Sequence, residues 1–330
     1  MAQKDCYKIL ITDTLPLLTG MVAKTNEMYP DCVNKVEFIL VDQGDENELV
    51  EKVPGVDILV GARNKITRNV IERADQAFFI QQCSAGYDNI DLNAAREKGI
   101  KVSNSGGAGV IPVAEHTIML MLATLKSLPI LDSTMKQGQW VFGQYFGKVY
   151  ELRDKLVGFI GLGKIGTQAA RLAYAFGAMI QYYDPYRKDT SDLEFPVKKV
   201  SLEELLKTSD IVSVHSLLTD ETRGMIGKDQ LERMKETAII VNTSRGAVID
   251  EEALADILAQ KKIRGAGIDV FGDHGNPPDP SSRLLKLDNV VLTPHLGGCT
   301  AEDIFRNFYV SSLGNIMDVV KGKEPQWVLS

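Results

Sequence analysis

Cysteine is scarce in this chain. The four present, Cys6, Cys32, Cys83 and Cys299, form no CxxC pair and no zinc-ligand spacing. That excludes a disulfide framework and points to reduced thiols in a cytoplasmic protein. Histidine is equally rare, and the His and Asp residues show no metal-ligand spacing, so no metal is expected. Long hydrophobic runs are missing. The most apolar stretch, Ile118 to Leu125, is far short of the roughly 20 residues that span a bilayer. The opening MAQKDCYKIL has no apolar signal-peptide core. There is no basic excess either: 37 Lys+Arg against 44 Asp+Glu give a net charge of −7. Nucleic acid and anionic membranes are therefore poor partners. No short repeat and no low-complexity tract is found.

What remains is ordinary globular composition, with 44% hydrophobic and 25% charged residues. A length of 330 residues suits two domains. Short apolar runs alternate with helical patterns. Ile9–Ile11, Ile58–Val60, Phe78–Ile80 and Ile100–Val102 read as strands, with Leu49–Val53 and Ile66–Ala74 at helical spacing between them. A second series places strands at Val157–Ile160, Met179–Tyr183, Ile211–Val214, Ala238–Val241, Gly267–Val270 and Val290–Leu292. Helices fall at Ile165–Phe176, Leu202–Thr208, Lys228–Met234 and Glu251–Gln260. This alternation predicts α/β architecture with doubly wound parallel sheets, the second of six strands. Val113–Leu125 reads as a long core or interdomain helix, and Gly272–Pro280 as a surface loop.

The sharpest motif is Gly161-Leu162-Gly163-Lys164-Ile165-Gly166, which leaves a strand and opens a helix. Gly161 permits the tight turn, Gly163 a close backbone approach to a pyrophosphate, and Gly166 close helix–strand packing. The helix N-terminus offers N–H groups and a positive dipole end to phosphates. The next strand ends at Asp184, 23 residues beyond Gly161. A carboxylate there accepts from ribose hydroxyls and repels a 2′-phosphate, so NAD is expected over NADP, although nearby Arg187 complicates the choice.

Two further residues follow apolar strands, in turns at the carboxyl ends where open α/β sheets meet ligands. Arg245 can hold a carboxylate through two parallel hydrogen bonds. His295, in a Thr-Pro-His turn, has an imidazole suited to proton transfer near neutrality.

From Cys83-Ser84-Ala85-Gly86-Tyr87-Asp88 to Thr293-Pro294-His295-Leu296-Gly297-Gly298, the chain resembles the D-isomer-specific 2-hydroxyacid dehydrogenases. That family includes phosphoglycerate dehydrogenase and glyoxylate/hydroxypyruvate reductase. Val113-Ala114-Glu115-His116, the glycine turn, Asn242-Thr243-Ser244-Arg245-Gly246 and Asp269-Val270-Phe271 extend the match in the same order. The resemblance implies a Rossmann-type cofactor domain at residues 104–298, inserted into a flavodoxin-like substrate domain at 1–103 and 299–330. It implies an active site in the cleft between the domains and a homodimer. The helix around Val113–Leu125 and the aromatic segment Trp140–Tyr150 are candidates for the dimer interface; a core role would suit the aromatics equally. By the same resemblance Arg245 binds the substrate's carboxylate and carbonyl, and His295 is the acid/base. Thr243, Asp269, Gly297, Lys164 and Ile165 belong to the cofactor site. His215 either lines that site or is structural. The Ser84-Ala85-Gly86 backbone would cradle the substrate carboxylate. Arg63 would read the substrate's far end or stand solvated.

One position departs from the family. Three residues after Phe271, where the family usually carries a Glu that partners the catalytic His, stands His274. Either Asp273 supplies the missing carboxylate or His274 makes an altered site. The leading expectation is NAD-dependent interconversion of a D-2-hydroxy acid and its 2-keto acid. Two others stay open: oxidation of another small anion of the formate or phosphite type, and an NAD(H)-sensing binding protein of the corepressor type.

Overall fold

The structure is a computed structural model and describes residues 4–272 and 277–329. The chain divides into two compact units, residues 1–108 with 299–330, and residues 109–298. The first crossover lies after Ala108 and not after residue 103. Asn104 N–H donates to Trp327 O and Ser105 N–H to Ser84 O, which keeps those residues in the first unit.

The first unit holds five parallel strands: β1 (Tyr7–Ile11), β2 (Val36–Leu40), β3 (Ile58–Gly61), β4 (Phe79–Gln82) and β5 (Lys101–Ser103). Their order is β2-β1-β3-β4-β5, the flavodoxin-like arrangement. Side chains alternate across the sheet. Leu10, Leu59, Ile80 and Val102 pack with helices α2 (Glu46–Lys52), α3 (Arg68–Arg73) and α4 (Leu92–Glu97). On the other face Ile9, Ile11, Ile58, Val60 and Phe79 meet Met21 of α1 (Met21–Met28) and Leu313, Ile316, Met317 and Val320 of the returning tail. The tail is fastened by a hydrogen bond from Leu329 N–H to Val102 O. Aspartate and threonine side chains cap the helices: Asp45, Thr67 and Asp91 each accept from a backbone N–H in the first turn.

The second unit begins with α5 (Val110–Leu125) and α6 (Leu128–Lys136). Its strands are β6 (Leu156–Ile160), β7 (Met179–Tyr183), β8 (Lys198–Lys199), β9 (Ile211–Val214), β10 (Ile239–Asn242), β11 (Gly265–Ile268) and β12 (Val290–Leu292). They form one parallel sheet, β12-β11-β10-β9-β6-β7-β8. The strand order reverses between β6 and β9, as in Rossmann folds. The sheet has seven strands and not six. The addition, Lys198–Lys199, is an exposed two-residue edge with no apolar run to announce it. One face packs against α5 and α7 (Lys164–Ala175) through Val157, Phe159, Ile180, Tyr182, Ile239 and Val241. The other packs against α8 (Leu202–Thr208) and α9 (Glu251–Ala259) through Ile160, Val212, Val214, Ile240 and Ile268.

α5 is a core helix of this unit, with ten buried residues. It lies directly on β11. A Cβ at Gly267 would stand 3.0 Å from Leu120 Cβ, which is why that strand reads Gly-Ala-Gly-Ile. Among the described residues no single helix is long and apolar enough to cross a membrane.

Candidate functional site

Four strand ends meet at one edge of the second sheet. Because all strands are parallel, β6, β10, β11 and β12 deliver Gly161, Arg245, Asp269 and His295 to the same carboxyl edge.

The turn after β6 has tight geometry. Gly161 has φ +90°, and a Cβ there would meet His215 O at 2.8 Å. A Cβ at Gly166 would stand 2.4 Å from Gly161 O. Gly163 differs: its Cβ would meet nothing within 4 Å, so the backbone there faces open space. Lys164 and Ile165 open α7, whose N-terminus has no side-chain cap. The turn borders a cleft of about 690 Å³ lined by Gly163, Lys164, Thr167, Asp184, Tyr186 and Arg187, among others. An uncapped helix end, an open glycine and a cleft of this size fit a dinucleotide pyrophosphate.

Asp184 stands beside the turn. Its Oδ2 accepts from Leu162 N–H at 2.9 Å, and its Oδ1 from the N–H groups of Tyr186 and Arg187, each at 2.9 Å. Burial alone would raise its pKa, but these three donors hold the carboxyl below its ordinary range. A carboxylate accepts about four hydrogen bonds, so capacity remains for a ribose hydroxyl.

His215 follows β9 and backs the turn. Its Nε2 lies 2.8 Å from Ser213 Oγ, and its ring stacks on Phe159 at 5.6 Å. Among the described residues nothing pairs with its buried Nδ1. Burial pushes its pKa down to about 4, so the ring is neutral at pH 7.

Asp269, at the end of β11, is buried and braces the β12 turn. Its Oδ1 accepts from Thr293 Oγ1 (2.6 Å) and Leu296 N–H (3.0 Å), and its Oδ2 from Gly297 N–H (3.0 Å). His116 Nε2, from α5, lies 3.3 Å from Oδ1 and 2.9 Å from Thr293 Oγ1. Burial opposes the charge here too, but these donors keep the carboxyl below its ordinary range. His295 sits between the braced residues with φ +56°, a left-handed conformation for a non-glycine. Its N–H donates to Asp269 O at 2.8 Å. Arg245 follows β10; its carbonyl accepts from Asn242 Nδ2 at 2.9 Å, and Thr243 Oγ1 lies 2.9 Å from Thr117 Oγ1. Asp273 and His274 lie outside the described residues.

In the first unit, the loop after β4 has its carbonyls tied back. Asn104 Nδ2 donates to Ala85 O, Ser84 Oγ and Gln82 Nε2 to Gly86 O, and Ser105 N–H to Ser84 O. Among the described residues no backbone carbonyl takes the N–H groups of Ser84, Ala85 or Gly86. Three such N–H groups on short residues suit an anion. Arg63, after β3, pairs with buried Asp13 at 3.2 Å while 59% of its side chain stays exposed.

The sequence reading missed three features: the His116–Asp269–Thr293 brace, Thr167 in the cleft wall, and the ion pair of Arg187 with Asp192. The brace residues each stand in a motif, but neither their contact nor the ion pair can be read along the chain, because the partners are joined only by folding.

The family model described as "D-isomer specific 2-hydroxyacid dehydrogenase, NAD binding domain" matches residues 118–297. This chain belongs to that family. Its second unit is accordingly the NAD-binding domain, and NAD is its cofactor. The chain is 41% identical to a hydroxypyruvate reductase of Thermotoga maritima, over 82% of this chain and 87% of that one. It is 40% identical to a D-3-phosphoglycerate dehydrogenase of Archaeoglobus fulgidus, over 77% of this chain. There it spans about half, 48%, of the relative's length. A glyoxylate reductase structure from Paecilomyes thermophila superposes with TM-score 0.85 at 28% identity, covering 99% of both chains.

Proposed function

We propose that the protein is an NAD-dependent oxidoreductase interconverting a D-2-hydroxy acid and its 2-keto acid. The observation that carries this is the shared carboxyl edge of the second sheet. Strands β10 and β12, which flank β11, bring a guanidinium and an imidazole there, at the same edge as a turn fit for a dinucleotide.

Arg245 binds the substrate carboxylate and polarises its carbonyl, since a guanidinium offers paired donors that need no proton bookkeeping. His295 gives a proton to the carbonyl oxygen during reduction and takes it from the hydroxyl during oxidation. Asp269 holds the His295 turn and, with Thr243 and Gly297, borders the nicotinamide. Gly161, Gly163, Lys164, Ile165 and Gly166 hold the pyrophosphate, Asp184 holds the adenine-side ribose, and His215 backs the turn as a neutral wall. Bound NAD supplies hydride exchange at the nicotinamide ring. From the first unit, the Ser84–Gly86 N–H groups bind the substrate carboxylate and Arg63 binds an anionic far end. We assign the role of the family's glutamate to Asp273 or His274.

The test is NADH oxidation against glyoxylate, hydroxypyruvate, phosphohydroxypyruvate and branched-chain and dicarboxylic keto acids. His295→Ala should lower kcat by about 10²–10⁴-fold, the range for removing a general acid–base group, while NADH still binds. Unchanged kcat in His295→Ala would refute the assignment. NADH binding without turnover of any acid would favour the sensing protein.

We also propose a homodimer formed through the second unit. Trp140, Phe142 and Phe146 are 77%, 60% and 73% exposed, with Trp140 stacked on Phe142 and Phe146 tilted against it, which disfavours a core role within the unit. Beside α5 lies an apolar groove of about 500 Å³ lined by Ile118, Met119, Leu122, Leu128 and Phe176. Exposed apolar surface of this kind marks interfaces. Light scattering after size exclusion should give twice the chain mass, and a monomeric Phe146→Ser variant would support this face.

A further inference from the structure

The cleft that holds Asp184 also holds a cation, and a cation in that place would ordinarily welcome a phosphate. Arg187 lines the cleft with Asp184, Tyr186 and Thr167. Yet every nitrogen of its guanidinium is already engaged. Nε donates to Asp189 O at 3.2 Å. Nη1 donates to Leu162 O at 2.9 Å and to Thr167 Oγ1 at 3.0 Å. Nη2 donates to both carboxylate oxygens of Asp192, each at 2.6 Å. All three nitrogens thus have acceptors on protein atoms.

We infer that Asp192 is a specificity-determining residue for the cofactor: it occupies Arg187 and so denies a 2′-phosphate the one guanidinium that, among the described residues, lines this cleft. Two effects act together. Both Asp192 oxygens lie 2.6 Å from Nη2, so the carboxylate covers that edge of the guanidinium, where a phosphate would pair. The Asp192 charge also opposes a second anion beside it. The first three partners of Arg187 are a serviceable frame, because two backbone carbonyls and Thr167 hold the guanidinium in the cleft wall without Asp192. Asp192 itself is 64% exposed, whereas Arg187 is 21% exposed. Truncating Asp192 therefore leaves the fold intact and frees a positioned cation. Asp184 remains, so discrimination weakens without inverting.

This inference rests on the cleft being the adenosine site, and the experiment separates the two. Binding of 5′-AMP and of adenosine 2′,5′-bisphosphate is measured by calorimetry on wild type, Asp192→Ala, Asp192→Asn and Asp192→Ala/Arg187→Ala. Asp192→Ala should bind the bisphosphate at least about tenfold more tightly than wild type, the scale of a charge-assisted hydrogen bond gained. Its affinity for 5′-AMP should stay within about threefold, as for a surface change. Asp192→Asn should gain less, because an amide oxygen still accepts from Nη2. The double variant should lose the gain. An unchanged bisphosphate affinity in Asp192→Ala, or a gain that survives loss of Arg187, would overturn the role of Asp192. Wild-type protein that binds NADH but not 5′-AMP would instead overturn the placement of the adenosine in this cleft, and the inference with it.

Discussion

Two glycines two residues apart should respond to the same substitution in opposite ways. Gly161→Ala adds a methyl at φ +90°, with His215 O at 2.8 Å, His215 C at 2.9 Å and Ser216 N at 3.1 Å. All three neighbours are backbone atoms, so none can swing aside. The left-handed conformation costs about 1–2 kcal/mol for a residue with a Cβ. Forcing a methyl against packed backbone adds about 1–3 kcal/mol. The sum, about 2–5 kcal/mol, should lower Tm by about 5–15 °C for a domain of this size. Gly163→Ala meets no such obstacle, with φ −73° and no heavy atom within 4 Å. Its stability cost is that of Ala replacing Gly at an N-cap, under about 1 kcal/mol. Its methyl stands where a pyrophosphate would approach, so NADH affinity should fall at least about tenfold. Differential scanning calorimetry and NADH fluorescence titration read the two effects separately. A Gly161→Ala variant that melts with wild type would refute the steric argument. A Gly163→Ala variant with wild-type NADH affinity would refute the cradle.

Three further outcomes follow from the same structure. His215 has a folded pKa pushed down to about 4, against about 6.5 in the unfolded chain, so its contribution to stability is full above pH 6.5 and lost as pH falls toward 4. At pH 5.5 that loss is about 1.4 kcal/mol, and the Tm difference between pH 7.5 and 5.5 should shrink by about 3–6 °C in His215→Phe; an unchanged difference would refute the buried neutral ring. Cys6 and Cys299 are exposed while Cys32 and Cys83 are buried, with burial pushing Cys83 up to about 12. Ellman's reagent should therefore modify the first two in the native protein and the buried pair only on unfolding. Asp269→Asn sets an amide N–H against a backbone N–H of the β12 turn, which should cost about 1–3 kcal/mol and move the pH profile of turnover; a variant with wild-type Tm and pH profile would show that the brace is dispensable.

Much of the fold could be read from apolar runs, and the exceptions have physical causes. Met179–Tyr183, Ile211–Val214 and Val290–Leu292 are strands over the very residues the sequence suggests, because each run continues on both faces of a covered sheet. β2 passed unnoticed because it is an edge strand, with Glu37 and Leu40 exposed. α6 is short and has no buried residue; its apolar Leu128 and Met135 stand exposed. β11 was placed two residues late: Gly265 and Ala266 look like the approach to a strand, yet they lie within it, and α5 packs close against Gly265 and Gly267. The glycine turn was legible because its geometry depends on residues close in sequence. The five acceptors around Arg187 were not, since three of them are ordinary backbone or hydroxyl oxygens and only the fold gathers them.

The β12 turn shows how a candidate acid/base residue can depend on a strand that does not carry it. His295 adopts φ +56° without being glycine, a conformation that costs about 1–2 kcal/mol. The turn could relax if nothing held it. Instead Asp269, from β11, takes the N–H groups of Leu296 and Gly297 on its carboxylate and that of His295 on its carbonyl. Three successive N–H groups thus converge on one residue of the neighbouring strand. Thr293 and His116 fill the remaining side of Oδ1 and tie the same point to α5. The backbone of His295 is therefore fixed by a buried charge, and its direction follows from the register of β11 against β12, Ile268 opposite Leu292. A change in that register, or in the length of either strand, would turn the imidazole away while leaving every motif in the sequence unaltered.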